Sequence, residues 1–355
     1  MEKRKDRVFY YDAIRVVACL SVIIIHFNAS FSAWSGGVFT YPNAVFPNFI
    51  FNQSVYLGDF GVSLFFILSG ASMFRTYGER KVSLGAFYRK RFLSLYPMFW
   101  LAWFAAASIS LLYYRGMAAG DMGAALSTLL GTDGYMMALG YSSLSVFYQV
   151  GEWYLGCIVL IYLLMPILLW GVKKYPAATT AASFLIFLIL YKRVPDVFFL
   201  IRIPEVVFGM LFDRYFRSKD GISQGIWVAG VVLGIVVLSE MGQSFVSTGC
   251  GLVLCMFISA LVFILVALIS RNMQLFGQLG AKLAGYTYPA FLVHHQICEY
   301  MSKRFYLPEI PKNTLFFAFL VYIVIVGVMS IILTWTSQVV LNWFRAFLSP
   351  GEDAC

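Results

Sequence analysis

The stretch DAIRVVACLSVIIIH, residues 12–26, joins an acid, a base and a histidine through an apolar run. Read as one helix, the steps from Arg15 to His26 advance about 16 Å and complete about three turns, so both side chains share one face at different depths. Asp12 precedes Arg15 by three residues and lies within its reach. A histidine can accept a proton near neutral pH. An arginine can hold an anionic group or a developing negative charge. The chemistry this suits is proton transfer beside a stabilised anion. The same residues also fit a structural role. Asp12 and Arg15 would then anchor the helix at the interface, and His26 would hydrogen-bond a neighbouring helix.

Other segments carry polar groups in apolar surroundings. IRIPEVVFGMLF (201–212) places Arg202 and Glu205 three apart, where they can pair with each other. FYRKRFLSLYPMFW (87–100) carries Arg89, Lys90 and Arg91 just before an apolar run. EWYLGCIVLIYLLMP (152–166) opens with Glu152 and Trp153, and GYTYPAFLVHHQI (285–297) ends in His294 and His295. Cys19, Cys157, Cys250, Cys255, Cys298 and Cys355 are scattered, which is neither a disulfide framework nor a metal-ligand spacing, and no metal site is expected.

These residues must be positioned by membrane helices. Of 355 residues, 61% are hydrophobic and 12% charged, about half the charge of an ordinary soluble domain. So much apolar surface implies many spans of roughly 20 residues each. Ten are predicted, near 9–29, 58–76, 92–114, 147–171, 177–191, 195–213, 225–240, 246–269, 283–301 and 314–342. With the N-terminus placed in the cytoplasm, eighteen of the 26 Lys and Arg residues fall in cytoplasmic segments and six in outer ones. The positive-inside rule therefore predicts both termini cytoplasmic. The +9 net charge reads mostly as this topology signal and gives no reason to invoke nucleic acid. The basic start MEKRKDR is not followed by a small-residue cleavage pattern, so no signal peptide is expected. The outer loops 29–57 and 115–146 are rich in Gly, Ser, Tyr and Asn. No internal repeat is evident. The expectation is one all-α membrane bundle over 1–355, without an appended soluble domain.

In this order, the segments resemble the integral-membrane acyltransferase type 3 family. The most specific parts are the Arg15-to-His26 spacing and the FF-x-LSG phrase of GDFGVSLFFILSGASMF (58–74), in which Gly61, Ser69 and Gly70 permit close packing. The Tyr288-to-His294 phrase adds support and favours His294 over His295. One departure is Ser94, which stands where family members often carry a second arginine after Arg91. The resemblance implies ten spans and O-acylation of a sugar or other acceptor. The donor would be a cytoplasmic acyl-CoA, commonly acetyl-CoA, with no permanently bound cofactor.

On that resemblance His26 is the candidate general base, with Arg15, Asp12 and His294 as further catalytic candidates. Arg15 would bind the donor, stabilise charge or orient a water chain, and Asp12 would hold it. Arg89, Lys90 and Arg91 are donor-binding candidates for the anionic nucleotide end, together with Ser69. Glu152 and Trp153 are acceptor-binding candidates, through hydrogen bonds to hydroxyls and stacking on a sugar ring, and Arg202 and Glu205 are grouped with them. The expected partners are acyl-CoA, a glycan or lipid-linked sugar and membrane lipid, in the cytoplasmic (inner) membrane. Two alternatives stay open. One is a secondary transporter or exporter of a lipid-linked sugar, since buried charges also mark transport paths. The other is an acyltransferase that uses succinyl-CoA or a non-sugar acceptor.

Overall fold

The computed structural model describes residues 8–29, 33–35, 38–40, 45–114, 122–141, 150, 152–216, 224–272, 274–305 and 311–348. Helices dominate. In chain order they are α1 (Phe9–Ala29), α2 (Leu57–Tyr77), α3 (Leu84–Tyr114), α4 (Ala125–Leu129), α5 (Asp133–Ala138), α6 (Glu152–Lys174) and α7 (Pro176–Leu190). There follow α8 (Ile203–Phe216), α9 (Gln224–Glu240), α10 (Gly242–Ser247), α11 (Gly251–Asn272), α12 (Gln274–Ala284), α13 (Thr287–Phe305) and α14 (Lys312–Leu348). Short 3₁₀ turns at Met122–Ala124 and Phe199–Arg202 lead into α4 and α8. Two small antiparallel hairpins, β1–β2 (Ala33–Ser35, Val38–Thr40) and β3–β4 (Phe49–Ile50, Val55–Tyr56), lie between α1 and α2.

Among the described residues all ten predicted spans overlap helices, but not all in the expected form: the sixth begins in the non-helical residues 195–198, and the ninth is broken between α12 and α13. Among the described residues six helices are long and apolar enough to cross a membrane: α1, α2, α3, α6, α11 and α14. This makes the chain a multi-pass membrane protein. The helices α7 and α9 are apolar but shorter. The eighth expected span, 246–269, is divided: α10 ends at Ser247 and α11 starts at Gly251, and Gly249 between them has a positive φ of 69°. Only glycine takes that conformation without steric cost. The predicted loop 115–146 contains α4 and α5, and α12 was not foreseen.

The chain forms two compact units. The first comprises Met1–Val82 and Cys157–Thr287, the second Ser83–Gly156 and Tyr288–Cys355. The core of the first joins Ile14 and Ala18 of α1, Leu64, Ile67 and Ala71 of α2, Phe212 of α8, and Ile258 and Phe263 of α11. Its tightest crossing is between α2 and α8. A Cβ at Gly70 would collide with the Val206 carbonyl oxygen, and one at Gly209 with that of Ile67. Such backbone-to-backbone approach is how membrane helices gain van der Waals contact when lipid supplies no hydrophobic drive. Gly61 plays the same part against α1, with the Ala18 carbonyl beneath it. In the second unit α3 packs on α14, and Tyr288 of α13 donates to the Leu95 carbonyl of α3 at 3.0 Å.

Candidate active site

In the first unit α1 runs unbroken through both ends of the sequence motif. Near its start, Arg15 Nη1 is 3.1 Å from Asp12 Oδ1. Asp12 is buried, while a third of the Arg15 side chain is exposed (33%), leaving it able to meet a second anion. His26, about three turns on, is half-buried. Cys19 and Val22 lie between them on the same face, and Cys19 Sγ donates to the Thr287 carbonyl at 3.5 Å.

Both ends of α1 are held by partners that sequence reasoning missed. Tyr11 donates to Asp213 of α8 at 2.6 Å, and Arg75 of α2 approaches the same carboxylate at 3.9 Å. These contacts fix the turn that carries Asp12 and Arg15. At the far end Asn28 is buried. Its Nδ2 donates to the Phe46 carbonyl at 2.9 Å and to Asn48 Oδ1 at 2.7 Å, and its Oδ1 accepts from the Val45 amide at 3.3 Å. Asn28 thus clamps residues 45–48 onto the helix end two residues from His26. The helix α12 lies along the Asp12 turn, with Gly280 against the Ala13 backbone.

Arg202 and Glu205 come together as the spacing suggested, in a cluster larger than a pair. Arg202 has no exposed surface (0%). Its guanidinium is 3.7 Å from Glu205 Oε1 and 3.8 Å from Asp59 Oδ1 of α2, and its Nε donates to the Asp196 carbonyl at 2.8 Å. The carboxylate contacts are ion pairs rather than close hydrogen bonds. The Phe66 ring lies 5.8 Å from the guanidinium carbon, within cation–π range. An apolar cavity of about 250 Å³ lies against Glu205, lined by Ile67, Phe184, Phe187, Phe208 and Phe257 among others. Those walls suit hydrocarbon rather than a polyhydroxyl group. Ser69 is half-buried, with its Oγ 3.5 Å from the Tyr162 hydroxyl.

The remaining candidates belong to the second unit. Arg89 and Lys90 are exposed on the first turns of α3. Arg91 is half-buried, its guanidinium 6.0 Å over the Phe87 ring. Ser94 turns its hydroxyl back to the Arg91 carbonyl at 2.9 Å. The side chain of Glu152 lies outside the described residues. Trp153 is half-buried beside Tyr154, whose ring meets Phe291 at 5.6 Å. His294 is buried, and its Nδ1 bonds the Phe291 carbonyl at 2.7 Å. His295 is half-buried. Thus Asp12, Arg15, His26, Ser69, Arg202 and Glu205 share one unit, and Arg89, Lys90, Arg91, Trp153 and His294 the other.

The arrangement on α1 can do two things chemically: hold an anion at Arg15, and exchange a proton at His26. A family described as an acyltransferase domain matches residues 8–337, nearly the whole chain. The chain matches no curated protein and no solved structure.

Proposed function

The chain belongs to the acyltransferase type 3 family, and we propose that it transfers an acyl group, most simply acetyl, from cytoplasmic acyl-CoA to a hydroxyl of a lipid-linked or cell-surface sugar across the inner membrane. The observation that supports this reading is the single unbroken helix that carries Arg15, braced by Asp12, and His26 on one face about 16 Å apart. A donor from one side and an acceptor from the other must meet inside the bilayer, and this face runs along that path.

In this reading His26 accepts the acceptor hydroxyl proton as its oxygen attacks the thioester carbonyl. A carbon–oxygen bond forms and the carbonyl oxygen takes up the negative charge. Arg15, about 16 Å along the helix and held by Asp12, does not touch that oxygen and is assigned to an anionic part of the donor. Collapse of that intermediate breaks the carbon–sulfur bond, and the leaving thiolate takes the proton back from His26. Arg89 and Lys90, exposed at the start of α3, suit the phosphorylated end of coenzyme A, with Ser69 assigned to the donor side. Trp153 and Glu152 are assigned to the acceptor. Arg202 and Glu205 are buried against each other and Asp59, so we assign them to positioning α8 against α2 rather than to sugar contact. His294 also takes a positioning role, since its Nδ1 is engaged by its own helix.

The test uses membranes from cells with and without the protein, supplied with isotope-labelled acetyl-CoA and read by mass spectrometry of glycans and lipids. Wild type should label an acceptor that control membranes do not. Removing a general base should lower turnover about 10²–10⁴-fold with donor binding unchanged. We therefore expect His26→Ala and His26→Gln both to fail while keeping the wild-type melting temperature. Near-wild-type turnover by His26→Gln would remove His26 from the mechanism.

A further inference from the structure

We infer that Met122–Ala138 is a re-entrant segment that turns within the hydrocarbon layer and presents an apolar face to lipid. The expectation from sequence alone was an aqueous loop, and the inference stands independently of the reaction proposed above. Depth is the first argument. Tyr96 donates to the Leu130 carbonyl at 3.0 Å, and Trp100 Nε1 to the Leu129 carbonyl at 2.8 Å. Trp100 lies fourteen residues before the Tyr114 end of α3. That distance is about 21 Å along the helix, and about 16 Å of depth even at a 40° tilt. The hydrocarbon core is only about 30 Å thick. Beyond Trp100 the helix exposes Phe104, Leu111 and Leu112, so the stretch above the attachment point is itself suited to lipid.

Polarity is the second argument, and it is inverted relative to a water-facing loop. Leu126 (66% exposed), Leu129, Leu130 and Met137 face outward, while Thr128 and Asp133 are buried. An acid in hydrocarbon is costly and turns to the protein interior. Here Asp133 accepts from the Thr128 hydroxyl at 3.0 Å and from the Gly134 amide at 2.9 Å.

The third argument is hydrogen bonding. A backbone that turns inside the bilayer must find its partners within the protein. The Leu130, Gly131 and Thr132 amides at the turn all donate to carbonyls of the preceding helical turn, at 3.0, 3.0 and 2.8 Å. The carbonyls of Leu129 and Leu130, which the turn would otherwise leave open, are those taken by Trp100 and Tyr96. Gly131, with a φ of 67°, supplies the left-handed residue that makes the turn possible.

The experiment is spin-label depth measurement on the full-length protein in phosphatidylcholine–phosphatidylglycerol vesicles. Labels go at Leu129→Cys and Met137→Cys, with Leu111→Cys as the lipid-facing reference and Glu79→Cys as the aqueous one. We expect collisions with oxygen, relative to a water-soluble nickel chelate, to match the Leu111 reference and to exceed the Glu79 reference severalfold. Nickel accessibility equal to that at Glu79 would overturn the inference. So would labels shielded from both reagents, which would mean that protein covers this face. Hydrogen exchange on the wild-type protein in the same vesicles needs no variant. Residues 125–138 should exchange as slowly as 101–112, and exchange as fast as at the 78–82 turn would also refute the assignment.

Discussion

A guanidinium with no exposed surface must be neutralised where it sits. Arg202, at the end of the 3₁₀ turn that leads into α8, reaches two carboxylates, Glu205 on the first turn of α8 and Asp59 on α2. This predicts an order of stability losses. Arg202→Met strands Glu205 in the interior and takes the ion pair from Asp59, so it should cost about 3–5 kcal/mol, the usual penalty for breaking a buried pair from one side. Glu205→Gln leaves Arg202 its contact with Asp59 and should cost less. Thermal unfolding of both variants in detergent checks the order, and equal losses would show that Asp59 contributes nothing. The pairing of Arg202 with Glu205 was legible because three residues on a helix are always neighbours. Asp59 was not, because no spacing links it to Arg202.

At the scale of elements, the α2–α8 crossing rests on two glycines that face each other's partner backbone. Alanine at either position forces the helices apart at their closest point. Gly70→Ala and Gly209→Ala should each destabilise the protein by about 1–3 kcal/mol, the range for overpacking a filled interface. Gly327 of α14 has open space around its Cβ position. There alanine only restores helix propensity, and Gly327→Ala should be neutral or stabilising by about 0.5–1 kcal/mol. Melting temperatures of the three variants make the comparison. The close-packing role of Gly70 was legible from its place in the LSG phrase. Gly209 became its counterpart only once α8 was laid across α2.

For the whole molecule, topology is the property that the acyl-transfer reading depends on most. With both termini cytoplasmic, Cys355 lies inside. In that orientation Cys250, part-exposed between α10 and α11, falls at the outer face. An impermeant maleimide applied to intact cells, with modified peptides identified by mass spectrometry, should label Cys250 alone. Permeabilised cells should show both. Labelling of Cys355 in intact cells would reverse the orientation and with it the assignment of Arg89 and Lys90 to a cytoplasmic donor.

Sequence by itself determined what local physics controls. Hydropathy over windows of about 20 residues reports the membrane helices, and the 3.6-residue period puts Asp12, Arg15 and His26 on one face. The family followed from the order of such local phrases. Tertiary structure alone decided everything that depends on which helices cross and where. Tyr11 finds Asp213 across 202 positions of chain, Asn28 finds Asn48 through a loop, and the 122–138 segment finds Tyr96 and Trp100 partway along α3. A side chain's partners within its own helix are set by periodicity. Its partners on other helices are set by packing, where a single glycine or a turned loop decides which polar groups meet.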